Sequence, residues 1–127
     1  MQNKETLYEQ IGGLERVERL VDMFYSNVKE HPALYPIFPD DLTETARKQK
    51  QFLTQFLGGP SLYTEEHGHP KLRARHLPFP ITRTRAIAWL SCMEDAMDEI
   101  ELEEPAREEI VQRLTLTAQH MVNTAEE

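Results

Sequence analysis

Hydrophobic residues recur at steps of three and four along most of the chain, a spacing typical of an α-helix with one buried face. In residues 14–30 the face predicted to be buried consists of Leu14, Val17, Leu20, Val21, Phe24 and Val28. Residues 43–57, residues 82–100 and the residues after Pro105 carry similar patterns. No segment alternates with a period of two over the length of a strand. The pattern therefore predicts an all-α fold with about four long helices.

Proline and glycine residues set the predicted ends of the first long helix. Gly12 and Gly13 precede it, and Pro32 ends it because the residue before a proline disfavours the helical conformation. Residues 35–39, YPIFP, contain two prolines and are predicted to form a tight corner rather than a regular helix.

The next predicted helix uses Thr43 as its N-cap and stops at the Gly-Gly-Pro sequence of residues 58–60. Residues 60–70 are rich in glycine, proline and histidine, and we expect a loop there. Pro70 fits the first turn of a short helix that runs to about His76. Two prolines soon after this histidine prevent the helix from continuing.

The composition narrows the class of protein. The chain has 127 residues and a formal net charge of −8, and its length suits one domain over residues 1–127. The negative charge counts against nucleic acid and anionic membrane surfaces as partners. No apolar run reaches the length of a membrane span, and the N-terminal residues lack the apolar core of a signal peptide. Cys92 is the only cysteine. We therefore expect a cytoplasmic protein.

Polar residues interrupt the hydrophobic face of the helix at residues 43–57. Thr45 and Gln49 precede Phe52 on the same face at steps of four and three. A buried amide without a hydrogen-bond partner costs about 1–3 kcal/mol. Either the interior needs hydrogen-bonding groups here, or the helix turns outward and Gln49 reaches water. Tyr25 raises the same question, because its buried hydroxyl could bond to such a group or to a backbone carbonyl.

His76, at the end of the short helix, admits three interpretations. It could be an ordinary, partly exposed histidine. It could bind zinc together with His67 and His69, although the chain lacks an HExxH motif and a cysteine pair. It could also bind haem iron through a neutral imidazole nitrogen.

The residues around this histidine suit the third interpretation. Leu72, Phe79 and Ile81 could form the apolar walls of a flat slot. Arg73 and Arg75 offer cations to the propionate groups of haem. No C-x-x-C-H motif occurs, so any haem would be held noncovalently.

Several motifs follow one another in an order that is similar to a known family. They are Phe24-Tyr25, the corner at residues 36–39, the run QFLGGPSLYTEEHGHPKLRARHLPFPI, and the spacing from His76 to Trp89. Over about residues 7–124 the chain resembles a truncated haemoglobin of the second group, and it closely resembles the bacillus-type members. The resemblance implies a truncated globin, a two-over-two helical sandwich around one noncovalent haem b per chain.

The resemblance also implies roles for individual residues. His76 would be the proximal ligand, the one protein bond to iron, and Phe38 would be the corner aromatic that stacks on haem. The residues that would form the distal ligand pocket are Tyr25, Thr45, Gln49 and Trp89. The other residues that would contact the cofactor are Lys48, Phe52, Tyr63, Leu72, Arg75, Phe79, Ile81 and Met93. The candidates for holding the propionates are Lys48, Tyr63 and Arg75.

Two features of the chain limit the distal chemistry that the resemblance implies. Many second-group members carry tyrosine at the corner, so Phe38 removes one hydroxyl from the distal network. The distal helix has no histidine, so a His–Fe–His state at the usual position is not expected. Donors from Tyr25, Gln49 and Trp89 would stabilise the partial negative charge on iron-bound dioxygen.

Three functional classes remain open at this point. The first is reversible binding of dioxygen and other small diatomic ligands for transport, storage or sensing. The second is a haem redox enzyme, such as a nitric oxide dioxygenase or a peroxidase-like protein, which would need an external reductase. The third is a haem-free helical interaction protein. For oligomeric state we expect a monomer or a weak homodimer.

Overall fold

Seven α-helices and one 3₁₀ helix make up residues 5–125, the part of the chain that this computed structural model describes. The α-helices are α1 (Leu7–Ile11), α2 (Leu14–Glu30), α3 (Thr43–Phe56), α4 (Leu62–His67), α5 (Leu72–His76), α6 (Arg83–Glu99) and α7 (Ala106–Met121). The 3₁₀ helix, Tyr35–Ile37, lies in the proline-rich corner. These residues contain no strand, and none of their helices is long and apolar enough to cross a membrane. The predicted all-α class is confirmed.

The four long helices form two packed pairs. Helix α2 packs on α3, α6 packs on α7, and the contact between α2 and α6 joins the pairs. The short helices are additions to this frame, because α4 packs on α3 and α5 packs on α7. This is the two-over-two arrangement that the resemblance implied.

The buried face of α2 follows its predicted hydrophobic stripe. Its residues from Val17 to Val28 on this face are buried, and Leu14, the first residue of the helix, is 41% exposed. Met93 and Met97 of α6 and Ile110 of α7 complete the same core. Each large side chain buried here contributes about 1.5–3 kcal/mol. The core therefore fixes α2 and α6, which also carry residues of the candidate site.

Helix α1 was not predicted from the hydrophobic pattern. Thr6 and Glu9 form a capping box, in which each side chain accepts a hydrogen bond from the other residue's backbone N–H, at 3.1 and 2.9 Å. The helix packs closely against the residues that follow α3, where a Cβ on Gly59 would lie 2.8 Å from the Tyr8 ring. Only glycine fits this approach.

Two predicted helix starts are wrong. Thr43 does not cap α3, because Leu42 is the capping residue and Thr43 donates its backbone N–H to Asp41 Oδ1 at 2.9 Å. This hydrogen bond lowers the pKa of Asp41. Helix α5 begins at Leu72, after Lys71 in the left-handed conformation, and not at Pro70.

The expected loop at residues 60–70 contains helix α4. Its six residues are too few for a hydrophobic period to be read. The side chain of Gln55 on α3 holds it, because Oε1 accepts from the backbone N–H of Thr64 at 2.9 Å and Nε2 donates to the Thr64 hydroxyl at 2.7 Å. The prediction of an irregular segment was therefore incomplete.

Candidate functional site

A cavity of about 520 Å³ lies between the two helix pairs, and its size is that of a pocket for a cofactor or small ligand. Helices α2 to α7 and the corner all contribute to its wall. The predicted site residues in this wall are Tyr25, Phe38, Thr45, Lys48, Gln49, Phe52, Tyr63, Leu72, Arg75, His76, Phe79, Ile81 and Trp89. Residues that are up to 64 positions apart in the sequence are thus brought together.

Met93 is the predicted cofactor-contacting residue that does not line the cavity. It is 1% exposed and belongs to the hydrophobic core. It lies one turn beyond Trp89 on the same face of α6, where the helix has passed the cavity and meets the other core helices. Trp89 and Met93 lie on the same face of the helix, so the sequence pattern alone could not show that only Trp89 lines the cavity.

Other lining residues were missed from the sequence. They are Leu34, Ile37, Pro39, Arg85, Ala86, Leu114, Thr117, Ala118 and Met121. The hydrophobic stripe of α7, which contains Leu114 and Met121, was a signal for part of this set. The stripe did not indicate that these residues line a cavity as well as pack in the core.

His76 lines the cavity, and its hydrogen bond selects one tautomer of the neutral ring. Its Nδ1 lies 2.7 Å from the carbonyl oxygen of Leu72, one turn earlier in α5. A carbonyl can only accept, so Nδ1 carries the hydrogen and donates. In the neutral ring Nε2 then keeps its lone pair, the form that binds a metal.

The segment that carries His76 is clasped by the residues after α7. Asn123 donates from Nδ2 to the carbonyl oxygens of His76 and Phe79 at 3.1 and 3.0 Å, and its Oδ1 accepts from the Ile81 N–H at 3.0 Å. Arg73 donates to the carbonyls of His120 and Val122 at 2.6 and 3.0 Å. We call these contacts the C-terminal clasp. These contacts could not be predicted from the sequence, because they join residues 42 to 49 positions apart.

Aromatic packing positions two of the polar side chains predicted for the distal pocket, Tyr25 of α2 and Trp89 of α6. Tyr25 is buried, and its ring meets Phe24 edge-on at 4.8 Å and Phe38 at 5.9 Å between centroids. Phe24 in turn meets the ring of Trp89 at 5.2 Å. Such pairs add about 0.5–1.5 kcal/mol each to the area they bury. Burial raises the pKa of the Tyr25 hydroxyl, so it stays protonated and able to donate at neutral pH.

The three hydrogen-bond donors predicted to act on a distal ligand have no protein acceptor. Within residues 5–125, neither the Tyr25 hydroxyl, the Gln49 amide nor the indole N–H of Trp89 forms a hydrogen bond with another residue. Buried polar groups usually find a partner. The question raised by the polar face of α3 is thus answered in part, because Thr45 and Gln49 do face an interior space.

Cations lie at the edge of the cavity. The guanidinium of Arg75 is 5.4 Å from the centre of the Tyr63 ring and donates to the carbonyls of His67 and His69, both at 3.3 Å. Lys48 lies on the exposed side of α3. These are side chains that can meet carboxylate groups at a water-facing edge.

The histidines do not gather as a zinc site. Nε2 of His67 lies 2.7 Å from the Gln51 side-chain oxygen, and Nδ1 of His69 accepts from the backbone N–H of Lys71 at 3.1 Å. No three His, Cys, Asp or Glu side chains in the described part of the chain are close enough together to hold a metal ion. The geometry therefore leaves His76 as a single candidate ligand.

Comparison with known proteins agrees with this architecture. The model of the bacterial-like globin family matches residues 6–123. The group 2 truncated haemoglobin YjbI of Bacillus subtilis is 70% identical over 119 residues, which cover 94% of this chain and 89% of that protein. The crystal structure of the group II truncated haemoglobin from Bacillus anthracis superposes with a TM-score of 0.97 at 67% identity, covering 99% of this chain and 97% of the other.

A second solved structure extends the comparison. The truncated oxygen-avid haemoglobin from Bacillus subtilis superposes with a TM-score of 0.91 at 69% identity, and covers 94% of this chain and 100% of the other. The fold, the order of motifs and these similarities agree with one another, and the chain belongs to the bacterial-like globin family, among the group 2 truncated haemoglobins.

Proposed function

We propose that this chain binds one haem b noncovalently, with His76 as the protein ligand to iron, and that it holds dioxygen or another diatomic molecule beside Tyr25, Gln49 and Trp89. Members of the globin family bind haem, and the Bacillus subtilis relative is described as oxygen-avid. The single observation that carries the proposal is the pairing, in one cavity, of a histidine with a free Nε2 and three donors without protein acceptors.

The residues present fit a haem group. Leu72, Phe79 and Ile81 supply apolar surface beside His76, and Phe38 and Phe52 supply aromatic surface. Arg75 and Lys48 are placed to meet the propionates at the edge, where each ion pair is worth about 0–1 kcal/mol. When bound, haem supplies an iron that takes one small diatomic ligand.

The chain's own contribution is orientation and hydrogen bonding. The His76–Leu72 hydrogen bond holds the imidazole in one tautomer and one ring orientation. The donors of Tyr25, Gln49 and Trp89 stabilise negative charge on a ligand in the cavity, and the surrounding side chains keep the local dielectric low. Phe38 adds packing to Tyr25 and no hydroxyl.

A redox role is the second candidate. A hydrogen bond to a partly charged ligand contributes about 1.5–3 kcal/mol, so several converging donors would slow release. Slow release suits a carrier poorly and suits chemistry on a retained ligand, such as nitric oxide dioxygenation or peroxide turnover with an external reductant. The number of free donors in the cavity is the observation that favours this candidate.

Two measurements test these proposals. Titration of the purified protein with haem should give a Soret band that saturates at one haem per chain, and failure to form it would end the proposal. Rapid mixing of the oxygenated form with nitric oxide, and of the ferric form with peroxide, then gives rates to compare with dioxygen release. Turnover much faster than release favours the enzyme. The single domain over residues 1–127, the cytoplasmic location and the monomeric or weakly dimeric state stay predictions.

A further inference from the structure

Acidic and basic residues are segregated along this chain. Between Glu66 and Glu94 the sequence has five Lys or Arg residues and no Asp or Glu. The rest of the chain has nine Lys or Arg residues and all 22 acidic residues. The net charge of −8 therefore averages over one positive segment and a strongly negative remainder. A partner with a negative surface can therefore be attracted to this segment although the whole chain is acidic.

The cations of the segment keep their charge uncompensated. Arg73, Arg75 and Arg85 donate hydrogen bonds to backbone carbonyls only. None of the five pairs with a carboxylate among residues 5–125. The Lys and Arg residues that do so there all lie elsewhere; they are Arg47, Lys50, Arg107 and Arg113. Carbonyl groups orient a guanidinium without cancelling its net charge, so the segment presents a positive field to solvent.

The surface of α7 beside α5 adds no negative charge. Helix α5 packs on α7, and residues 110–125 of that helix and its extension contain no Asp or Glu. An open groove beside α5 is lined by residues that include Lys71, Arg73, Leu116 and His120, and no carboxylate lines it.

Exposed apolar side chains lie among these cations. Leu116 is 69% exposed, Leu77 57% and Phe79 46%. We call the surface formed by Lys71, Arg73, Arg75, Leu77, Phe79 and Leu116 the basic face. Arg75 and Phe79 also line the cavity, so the basic face borders the candidate haem site. Two propionates could neutralise two cations at most, and Lys71 and Arg73 do not line the cavity.

We propose that the basic face docks a protein with a carboxylate-rich surface, and specifically a one-electron donor such as an acidic flavin or iron–sulfur protein. This deepens and rests on the proposed function, because the face is the edge through which haem would be reached. With haem bound, the step would be the transfer of one electron from the donor's reduced group to the ferric iron, with no bond made or broken.

Charge and shape favour this occupant over an extended polyanion. Fields are screened over about 8 Å at physiological salt, so DNA or an anionic bilayer that reached past the basic face would meet the acidic remainder at close range. A compact protein with an acidic face can contact the basic face without reaching the acidic remainder of the chain. The exposed side chains of Leu77 and Leu116, neither of which lines the cavity, supply the apolar contact typical of the centre of a protein interface.

The test is titration of the haem-loaded protein with a purified flavodoxin, an acidic one-electron donor, by calorimetry and by the rate of ferric haem reduction. The variant Lys71→Glu/Leu116→Asp changes exposed side chains of the basic face, neither of which lines the cavity. The matched control, Arg19→Glu/Leu14→Asp, makes the same charge change on α2.

The wild type should bind with an affinity that falls several-fold between about 0.05 M and 0.3 M salt. The basic-face variant should bind at least about tenfold more weakly, and the control should bind like the wild type.

Three results would overturn the proposal. One is a wild type that shows no salt-sensitive binding to the acidic protein. Another is equal weakening in both variants, which would assign the effect to net charge. The third is binding to duplex DNA or to phosphatidylglycerol vesicles that is tighter than binding to flavodoxin and is lost in the basic-face variant. Failure of the haem proposal itself would appear separately as a missing Soret band, and calorimetry would still report docking.

Discussion

The wall of the cavity that carries Tyr25 and Trp89 is held by packed side chains, whereas the wall that carries His76 is held by hydrogen bonds to the backbone. On the first wall, aromatic rings on long core helices fix the polar groups and leave their donors without protein acceptors. On the second, a five-residue helix with no buried residue is tied to the end of α7 and the residues after it, because Asn123 donates to the His76 carbonyl and the helix's own Arg73 donates to the His120 carbonyl. The difference shows that one wall offers unpaired hydrogen-bond donors on a rigid core, and the other holds one imidazole in place. These are the two requirements of the proposed function.

His76→Ala should have the largest effect. It removes the only group that the proposal assigns to iron, so stable haem retention should be lost or the iron should have no protein ligand. Resonance Raman spectroscopy of the ferrous protein should show the iron–histidine stretch only in the wild type. His67→Ala and His69→Ala are the controls and should keep the stretch. Its survival in His76→Ala would show that another residue binds iron.

Substitutions at Trp89 and Gln49 should speed dioxygen release by about tenfold each, because a lost hydrogen bond of about 1.4 kcal/mol changes an equilibrium tenfold. Stopped-flow dissociation rates of Trp89→Phe, Gln49→Leu and the double variant form a cycle. Independent donors give additive free energies, and a shared network does not. Unchanged release in Trp89→Phe would reduce that residue to packing.

Asn123→Ala should speed haem loss several-fold and shift the iron–histidine stretch, because the C-terminal clasp would release the carbonyls of His76 and Phe79. Asn123→Asp keeps the acceptor for Ile81 and loses both donors, so it should behave like the alanine variant. Asn27→Ala is the matched control, since its amide also joins two elements, at Cys92 and Glu99 of α6. It should lower stability and leave the stretch in place. An identical stretch in all four proteins would contradict a positioning role for Asn123.

Arg75→Ala should speed transfer of haem to apomyoglobin only a few-fold, because ion pairs at a water-facing edge are worth about 0–1 kcal/mol. Lys48→Ala should act similarly, and the double variant should show the two effects added. If neither single variant nor the double variant changes the rate, other groups hold the propionates.

The smallest expected effect concerns the contact between α3 and α4. Arg47 pairs with Glu66 at 2.5 Å, and this hydrogen-bonded pair lowers the pKa of Glu66 from 4.5 to about 2. Since the folded-state pKa is the lower one, the pair's stabilisation is present above pH 4.5 and lost as the pH falls towards 2. Arg47→Met should therefore lower Tm slightly at neutral pH and flatten its dependence on pH over that range. The same slope in wild type and variant would mean that the pair contributes nothing.

The hydrophobic period was enough to predict the long helices, because each buries one continuous face. It could not find α4, which is too short to show a period, or the hydrogen bond from the Thr43 N–H to Asp41 at the start of α3. The site follows the same division. Gln49 could be proposed from the sequence because it interrupts the hydrophobic face of a helix. His76 could be proposed because it ends a short helix among apolar residues and matches the proximal ligand of the family that the chain resembles. Met93 could not be separated from Trp89 by phase, and Asn123 acts through contacts that exist only in the folded chain.

The most direct test of the account is a stopped-flow comparison of dioxygen and carbon monoxide dissociation in the wild type and in Tyr25→Phe. Carbon monoxide is less polar, so it gains less from a donor in the cavity. The account predicts that dioxygen dissociation rises about ten- to a hundredfold and that carbon monoxide dissociation rises far less. If the two rates rise equally, Tyr25 is a steric gate, and the claim that its hydroxyl hydrogen-bonds the ligand is contradicted.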